Sequence, residues 1–215
     1  MKPPRSLRSL PPEGALSVPS ERPGGTEMKP PRSLRSLPPE GALSVPSERP
    51  GGTGMLDFDT WQALVQLQAD YASALDNAEW ERWPGFFTDP CVYRLQPREN
   101  HARGLPLATL SFESVGMLKD RAYGIRETLF HDPYYQRHVL SPPHILAVQG
   151  QGQAWRLRCE THYAVFRTKP DGPSTVFNVG RYLDTVVRTP DGLRFAERLC
   201  IFDSEMVPNA IIYPI

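Results

Sequence analysis

The stretch AWRLRCETHYAVFRT, residues 154–168, decides the fold. Trp155, Leu157, Cys159, Thr161, Tyr163 and Val165 fall on one side of it. Arg156, Arg158, Glu160 and His162 fall on the other, followed by Ala164 and Phe166. Side chains in a strand point alternately to opposite faces, so this run is a long strand with one face in a core. The pattern recurs twice downstream. A Lys169–Pro173 turn leads into a strand over Ser174–Arg188, and a Pro190-Asp191-Gly192 turn into a strand over Leu193–Asp203. Asp-Gly between alternating runs is a strong hairpin signal. Three long strands therefore form a twisted antiparallel meander.

Upstream the period changes. Between Asp57 and Leu75, apolar residues recur at Trp61, Leu64, Val65, Tyr71, Ala72 and Leu75, the spacing of one helical face, with Asp57 or Asp59 as N-cap. A short second helix is predicted over Ala78–Trp83, closed by Pro84-Gly85, and its cluster of Trp80, Trp83, Phe86 and Phe87 belongs in the core. Cys91–Gln96 reads as a strand. A third helix is predicted from Ser114 to Leu129, with Val115, Leu118, Ala122, Ile125 and Leu129 inward. Helices gathered ahead of antiparallel strands give an α+β domain, with the helices packed on one face of the sheet.

That domain occupies residues 55–215. Residues 1–54 are a tandem duplication: Met1–Glu27 is repeated as Met28–Gly54 with only the last residue changed. Two identical copies differ from true repeat architectures, which diverge and need about three units to bury a shared core. Each copy holds six prolines and only scattered apolar residues such as Leu7, Leu10, Leu16 and Val18. Disorder is the expectation for such a segment, with Met1, Met28 and Met55 as alternative starts. It carries 8 basic and 5 acidic residues of the chain's 24 and 24, leaving the 55–215 domain slightly acidic. That charge excludes the basic stripe of a nucleic-acid binder. No apolar run reaches the roughly 20 residues that cross a bilayer. Three cysteines cannot all pair, so a reducing, cytoplasmic setting is expected.

Chemistry-bearing motifs are few. Cys159-Glu160-Thr161-His162 imitates half of a Rieske site, but on a strand residues three apart face opposite sides. His131, His138 and His144, near Asp132, share no helical or strand face, and Pro133, Pro142 and Pro143 interrupt them. No Gly-rich loop opens a helix, and no Gly-x-Ser-x-Gly elbow occurs. Tyr71, Asp76, His131 and His138 remain acid–base candidates should the fold gather them. Charged residues stud the structured segments: Arg98 after a strand, Arg121 off a helix stripe, Arg137 and His138 ahead of a strand, Arg198 and Asp203 along the last one. Such arginines suit either an internal ion-pair network or a subunit interface.

Taken in order, these elements resemble a known family. The amphipathic helix ending in Leu75-Asp76 is followed by WERWPGFFTDPCVYRLQPRENH at 80–101 and GMLKDR at 116–121. QRHVLSPPHI at 136–145 and ERLCIFDSEMVPNAIIYPI at 197–215 complete the set. It resembles the small (β) subunit of aromatic-ring-hydroxylating dioxygenases over Met55–Ile215. The resemblance implies a cystatin-like, or nuclear transport factor 2-like, cone: a curved antiparallel sheet wrapped around the N-terminal helices. It implies a structural, non-catalytic role in a cytoplasmic oxidoreductase of aromatic catabolism, assembled as three large and three small subunits. The large (α) subunit would carry the Rieske 2Fe–2S cluster and the mononuclear Fe(II), and this chain no cofactor. Electrons would come from NAD(P)H through a reductase and, in many systems, a ferredoxin. The QPRENH and RHVLS segments are most similar to subunits of oxygenases acting on salicylate, anthranilate or terephthalate, salicylate 5-hydroxylases first. On this reading Arg98, Arg121, Arg137, His138, Arg198 and Asp203 form an interface or structural network. The alternative is a self-sufficient isomerase or dehydratase using Asp76, His131 and Tyr71, and behind it a ligand-binding module without chemistry.

Overall fold

The computed structural model describes residues 56–204 and 210–215. The duplicated segment 1–54 lies outside the described residues.

Helix α1 (Phe58–Asp76) begins where Asp57 accepts a hydrogen bond from the Thr60 amide, a side-chain cap of an otherwise orphaned donor. Its buried stripe is Leu64, Leu67, Gln68, Tyr71, Ala74 and Leu75. Trp61 and Val65, expected inside, stand at the margin because the face is rotated towards Leu67 and Gln68. The predicted second helix is absent as such. Asn77 caps α1, Ala78 takes a positive φ of 57°, and the chain turns before a 3-10 turn at Trp83–Phe86 that contains Pro84 and Gly85. The aromatic cluster is nevertheless buried as expected.

Strand β1 (Phe87–Pro97) starts earlier than the alternation suggested, and the short helix α2 (Arg98–Ala102) follows it. The edge strand β2 (Leu110–Phe112) precedes α3 (Val115–Tyr123), which Ser114 caps through the Met117 amide. A π turn at Gly124–Thr128 continues that helix almost to its expected end, burying Ile125 and leaving Leu129, just beyond it, exposed. Arg137 and His138 lie within a strand, not ahead of one. The segment 136–145 forms β3 (Tyr135–Leu140) and β4 (His144–Gln149), broken at Ser141–Pro143. Both pair antiparallel with one edge of β5 (Arg156–Thr168), end to end. Strands β6 (Ser174–Thr189) and β7 (Gly192–Phe202) complete the predicted meander, with Pro190 and Asp191 closing the hairpin and Gly192 supplying a φ of 120°.

The strands run in the order β2-β1-β7-β6-β5-β3, with β4 also on β5. The sheet is mixed, because β1 lies parallel to β7 while its other pairings are antiparallel. With its helices this is the α+β cone expected, a curved sheet and not a closed barrel. Gly180 permits one close approach within it: a Cβ there would lie 2.1 Å from the Ile201 carbonyl oxygen. The inward row of β5 is buried as its alternation required, with Leu157, Cys159, Thr161 and Val165 fully enclosed. Each apolar side chain of this kind contributes about 1.5–3 kcal/mol on burial. No helix among the described residues is long and apolar enough to cross a membrane.

Candidate functional site

The interior of the cone is where this fold could place a reaction. Its centre holds an ion pair. Register sets Asp184 of β6 opposite Arg198 of β7, and a bulge at Ala196 turns both Phe195 and Arg198 inward although they are three residues apart. Arg198 donates from Nε to Asp184 Oδ1 at 2.9 Å and from Nη2 to Oδ2 at 2.8 Å. Gln68 of α1 closes the triangle, donating to Asp184 Oδ2 at 2.7 Å and accepting from Arg198 Nη2. The guanidinium carbon lies 3.8–4.2 Å from the ring centres of Phe195, Tyr71 and Tyr182. Burial opposes this charge, but the Asp184 carboxylate outweighs it and holds the guanidinium's pKa above its ordinary value. Arg198 is thus enclosed inside the cone, bonded through Nε and Nη2. The signals for its partners were a polar Gln68 on an apolar helix stripe and an Asp184 at an inward strand position.

Next to this pair, residues 210–215 fill the space under the sheet. Tyr71 donates to the Ile215 carbonyl at 2.9 Å and accepts from Trp83 Nε1 at 3.3 Å. Tyr93 accepts from the Ile215 amide at 2.9 Å and donates to its carbonyl at 3.2 Å. Arg121 donates to the Ile212 carbonyl at 2.6 Å, and Gln136 reaches the Pro214 carbonyl at 3.4 Å. His131 meets the Tyr213 hydroxyl at 2.7 Å through Nε2 and the Leu129 carbonyl at 3.1 Å through Nδ1. Burial drives the phenols of Tyr71 and Tyr93 well above their ordinary range, which makes them poor proton donors to any substrate.

Asp76, at the end of α1, is a separate centre. Its carboxylate accepts from the His138 backbone amide at 3.0 and 3.1 Å and contacts His138 Nδ1 at 2.6 Å, with Arg137 Nη1 3.6 Å away. The other imidazole nitrogen, Nε2, is buried and has no partner among the described residues. The structure therefore joins Asp76 to His138, Tyr71 to Ile215 and His131 to Tyr213. No hydrogen bond links any two of Asp76, His131 and Tyr71. Arg98 and Asp203 pair at 2.7 Å on the surface.

The residues do not fit an iron centre. Cys159 is buried on the inner face of β5, whereas His162 is exposed on the outer one. His131, His138 and Asp132 have other partners, Asp132 pairing with Lys169, and His144 is exposed. Among the described residues, no three His, Cys, Asp or Glu side chains are grouped to hold a metal ion.

The SnoaL-like domain family matches residues 59–199. The small subunit of anthranilate 1,2-dioxygenase from Burkholderia cepacia is 38% identical over 159 residues, 74% of this chain and 96% of that one. The beta 1 subunit of the terminal oxygenase component of terephthalate 1,2-dioxygenase from a Comamonas species is 32% identical, over 71% and 96%. Among solved structures, a beta subunit assigned to an aromatic-ring-hydroxylating dioxygenase of Novosphingobium aromaticivorans aligns with a TM-score of 0.65 at 31% identity, covering 73% of this chain and 97% of that one. Matched along nearly the whole length of such subunits, and built on the same α+β cone, the chain belongs to the small-subunit family of the aromatic-ring-hydroxylating dioxygenases, an oxidoreductase system.

Proposed function

We propose that this chain is the structural small subunit of a multicomponent oxygenase that hydroxylates an aromatic acid of the anthranilate, terephthalate or salicylate class. The observation that carries the reading is the likeness to the anthranilate and terephthalate subunits across 96% of their length. The interior supports it: Tyr71 and His131 are bonded to residues 210–215, and the Asp76 carboxylate to the His138 backbone amide. Oxygen activation then belongs to a large subunit bearing the Rieske cluster and the mononuclear iron, in a three-plus-three assembly. NAD(P)H supplies electrons through a reductase, with or without a ferredoxin. Arg121 and Arg198 hold this subunit's own fold, and the charged outer residues face its partner.

Co-expression with the Rieske-type large subunit tests the reading. The expected result is a red-brown complex of high native mass that hydroxylates one of these acids with NADH, O2 and reductase, the chain alone being colourless. Turnover of an aromatic acid by the isolated chain would overturn it, as would a colourless homo-oligomer that ignores the large subunit.

A further inference from the structure

We propose that the outer face of the sheet across β3, β5 and β6 is the surface on which the large subunit docks, and that the partner meets it with apolar side chains flanked by carboxylates. The proposal rests on the oxygenase-subunit reading and deepens it by naming the face and the chemistry of the partner's surface.

Register builds this face row by row. Val139, Ala164 and Val179 lie side by side across the three strands, and Arg137, Phe166 and Val176 form the next row, with Tyr135 beyond. Val139 and Val176 are 56% and 57% exposed and Tyr135 70%. A contiguous apolar patch crossing three strands is costly to leave in water and marks an interaction surface. Helices α1 and α3 lie on the inner side, and α2 borders this face through His101, beside Arg158 and Leu183.

The other end of the same face is basic. Arg156 and Arg158 of β5 are exposed and make no ion pair among the described residues. Between the two ends, Glu160 is shared by Arg181 and His162, each at 3.5 Å. Beside Arg158 lies a depression of about 200 Å³ lined by His101, Leu146, Leu183, Glu197 and Leu199, space for one or two partner side chains.

Charge selects the occupant. On this face Arg137 pairs with Asp76 and Arg181 with Glu160, whereas Arg156 and Arg158 make no ion pair among the described residues. Two copies of this chain meeting through it would double that unpaired charge and bury guanidiniums without partners. A different chain carrying carboxylates around an apolar centre pairs them, and arginine beside a desolvated apolar patch is the usual composition of an energetic centre in an interface. Under the oxygenase reading that chain is the large subunit.

The test titrates the tagged full-length chain with purified large subunit. Two double variants probe the two ends: Val139→Asp with Val176→Asp, and Arg156→Glu with Arg158→Glu. All four side chains are exposed, so the isolated variants keep the wild-type thermal midpoint. Binding weakens roughly thirty-fold or more in each, and the arginine pair also loses most of the salt dependence of association. Phe58→Asp, at an equally exposed apolar site on α1, binds as wild type. If wild type binds and both double variants bind equally well, the docking face is wrong and the oxygenase reading stands. If wild type does not bind, both fall. If the variants instead lower the native mass of the isolated chain, the face belongs to a second copy and the proposed occupant is wrong.

Discussion

Replacing Asp184 by Asn removes the charge that holds Arg198 in the core while keeping the shape. Arg198 is fully buried and cannot lose its proton at any working pH. The substitution therefore strands a cation among Tyr71, Tyr182 and Phe195. Breaking a buried pair from one side costs about 3–5 kcal/mol, a large part of the roughly 5–15 kcal/mol that holds a domain together. At ~2–4 °C per kcal/mol for a chain of this size, the thermal midpoint falls by roughly 6–20 °C. Replacing the whole triangle by Arg198→Met, Asp184→Leu and Gln68→Leu removes every charge and every orphaned partner at once. That variant should be more stable than Asp184→Asn, because apolar substitutes of similar volume are neutral or better once desolvation is avoided. Thermal and urea denaturation of the full chain, followed by circular dichroism, measure both. A loss below about 1 kcal/mol for Asp184→Asn would refute the reasoning. It would mean that the three aromatic faces, 3.8–4.2 Å away, hold the guanidinium without the carboxylate.

Arg121→Ala removes the donor to the Ile212 carbonyl and lowers stability by about 1.5–3 kcal/mol in the same denaturation assay. Arg98→Ala opens an exposed pair with Asp203 and shifts stability by less than about 1 kcal/mol. Gly180→Ala forces β6 away from the Ile201 carbonyl, and the variant accumulates as insoluble protein or melts well below wild type. Burial raises the thiols of Cys91 to about 11 and Cys200 to about 12 from an ordinary 9.0. Between pH 9 and those values the unfolded chain gives up protons that the native chain keeps, so stability falls as pH rises. A pH series of melts checks that sign, and a thiol reagent at pH 8 should label all three cysteines only after denaturation. A chain starting at Met55 should melt and assemble as the full chain does.

The long strands were legible because one physical rule, alternation under one-sided burial, governs most of 156–168 and of its two successors, bulges at Phe177 and Ala196 apart. Helix α1 was legible for the same reason at a different period, although Trp61 shows that periodicity places a stripe only to within one residue. The parallel pairing of β1 with β7 was not legible, since it joins segments about a hundred residues apart and leaves no local mark. Nor was the short helix α2, which is stabilised by where the chain must turn after β1. The candidate site was legible only in part. Arg198, Arg121 and His138 stood out as charged or polar groups inside structured segments, but the Ile212 carbonyl and Asp76, which bond Arg121 and His138, come from distant segments, and only the hairpin register sets Asp184 opposite Arg198. A bulge at Ala196, invisible in the residue types, decides that Arg198 faces in.

An α+β cone can keep its interior open for a ligand or fill it, and the choice is made by side chains, not by the fold. Here three separate contributions fill it. The Arg198–Asp184–Gln68 triangle occupies the centre, three aromatic rings flank its guanidinium, and residues 210–215 cover what remains by bonding Tyr71, Tyr93, Arg121 and His131. Each polar group spent on that filling is withdrawn from chemistry. The outer face shows the converse pattern, with Val139 and Val176 in water and Arg156 and Arg158 without carboxylates of their own. A chain that spends most of its interior polar groups on its own filling and leaves apolar and cationic side chains outside has free energy of interaction available to a partner. That distribution is what a structural subunit requires, and it places the decisive tests on the surface of the sheet, away from its core.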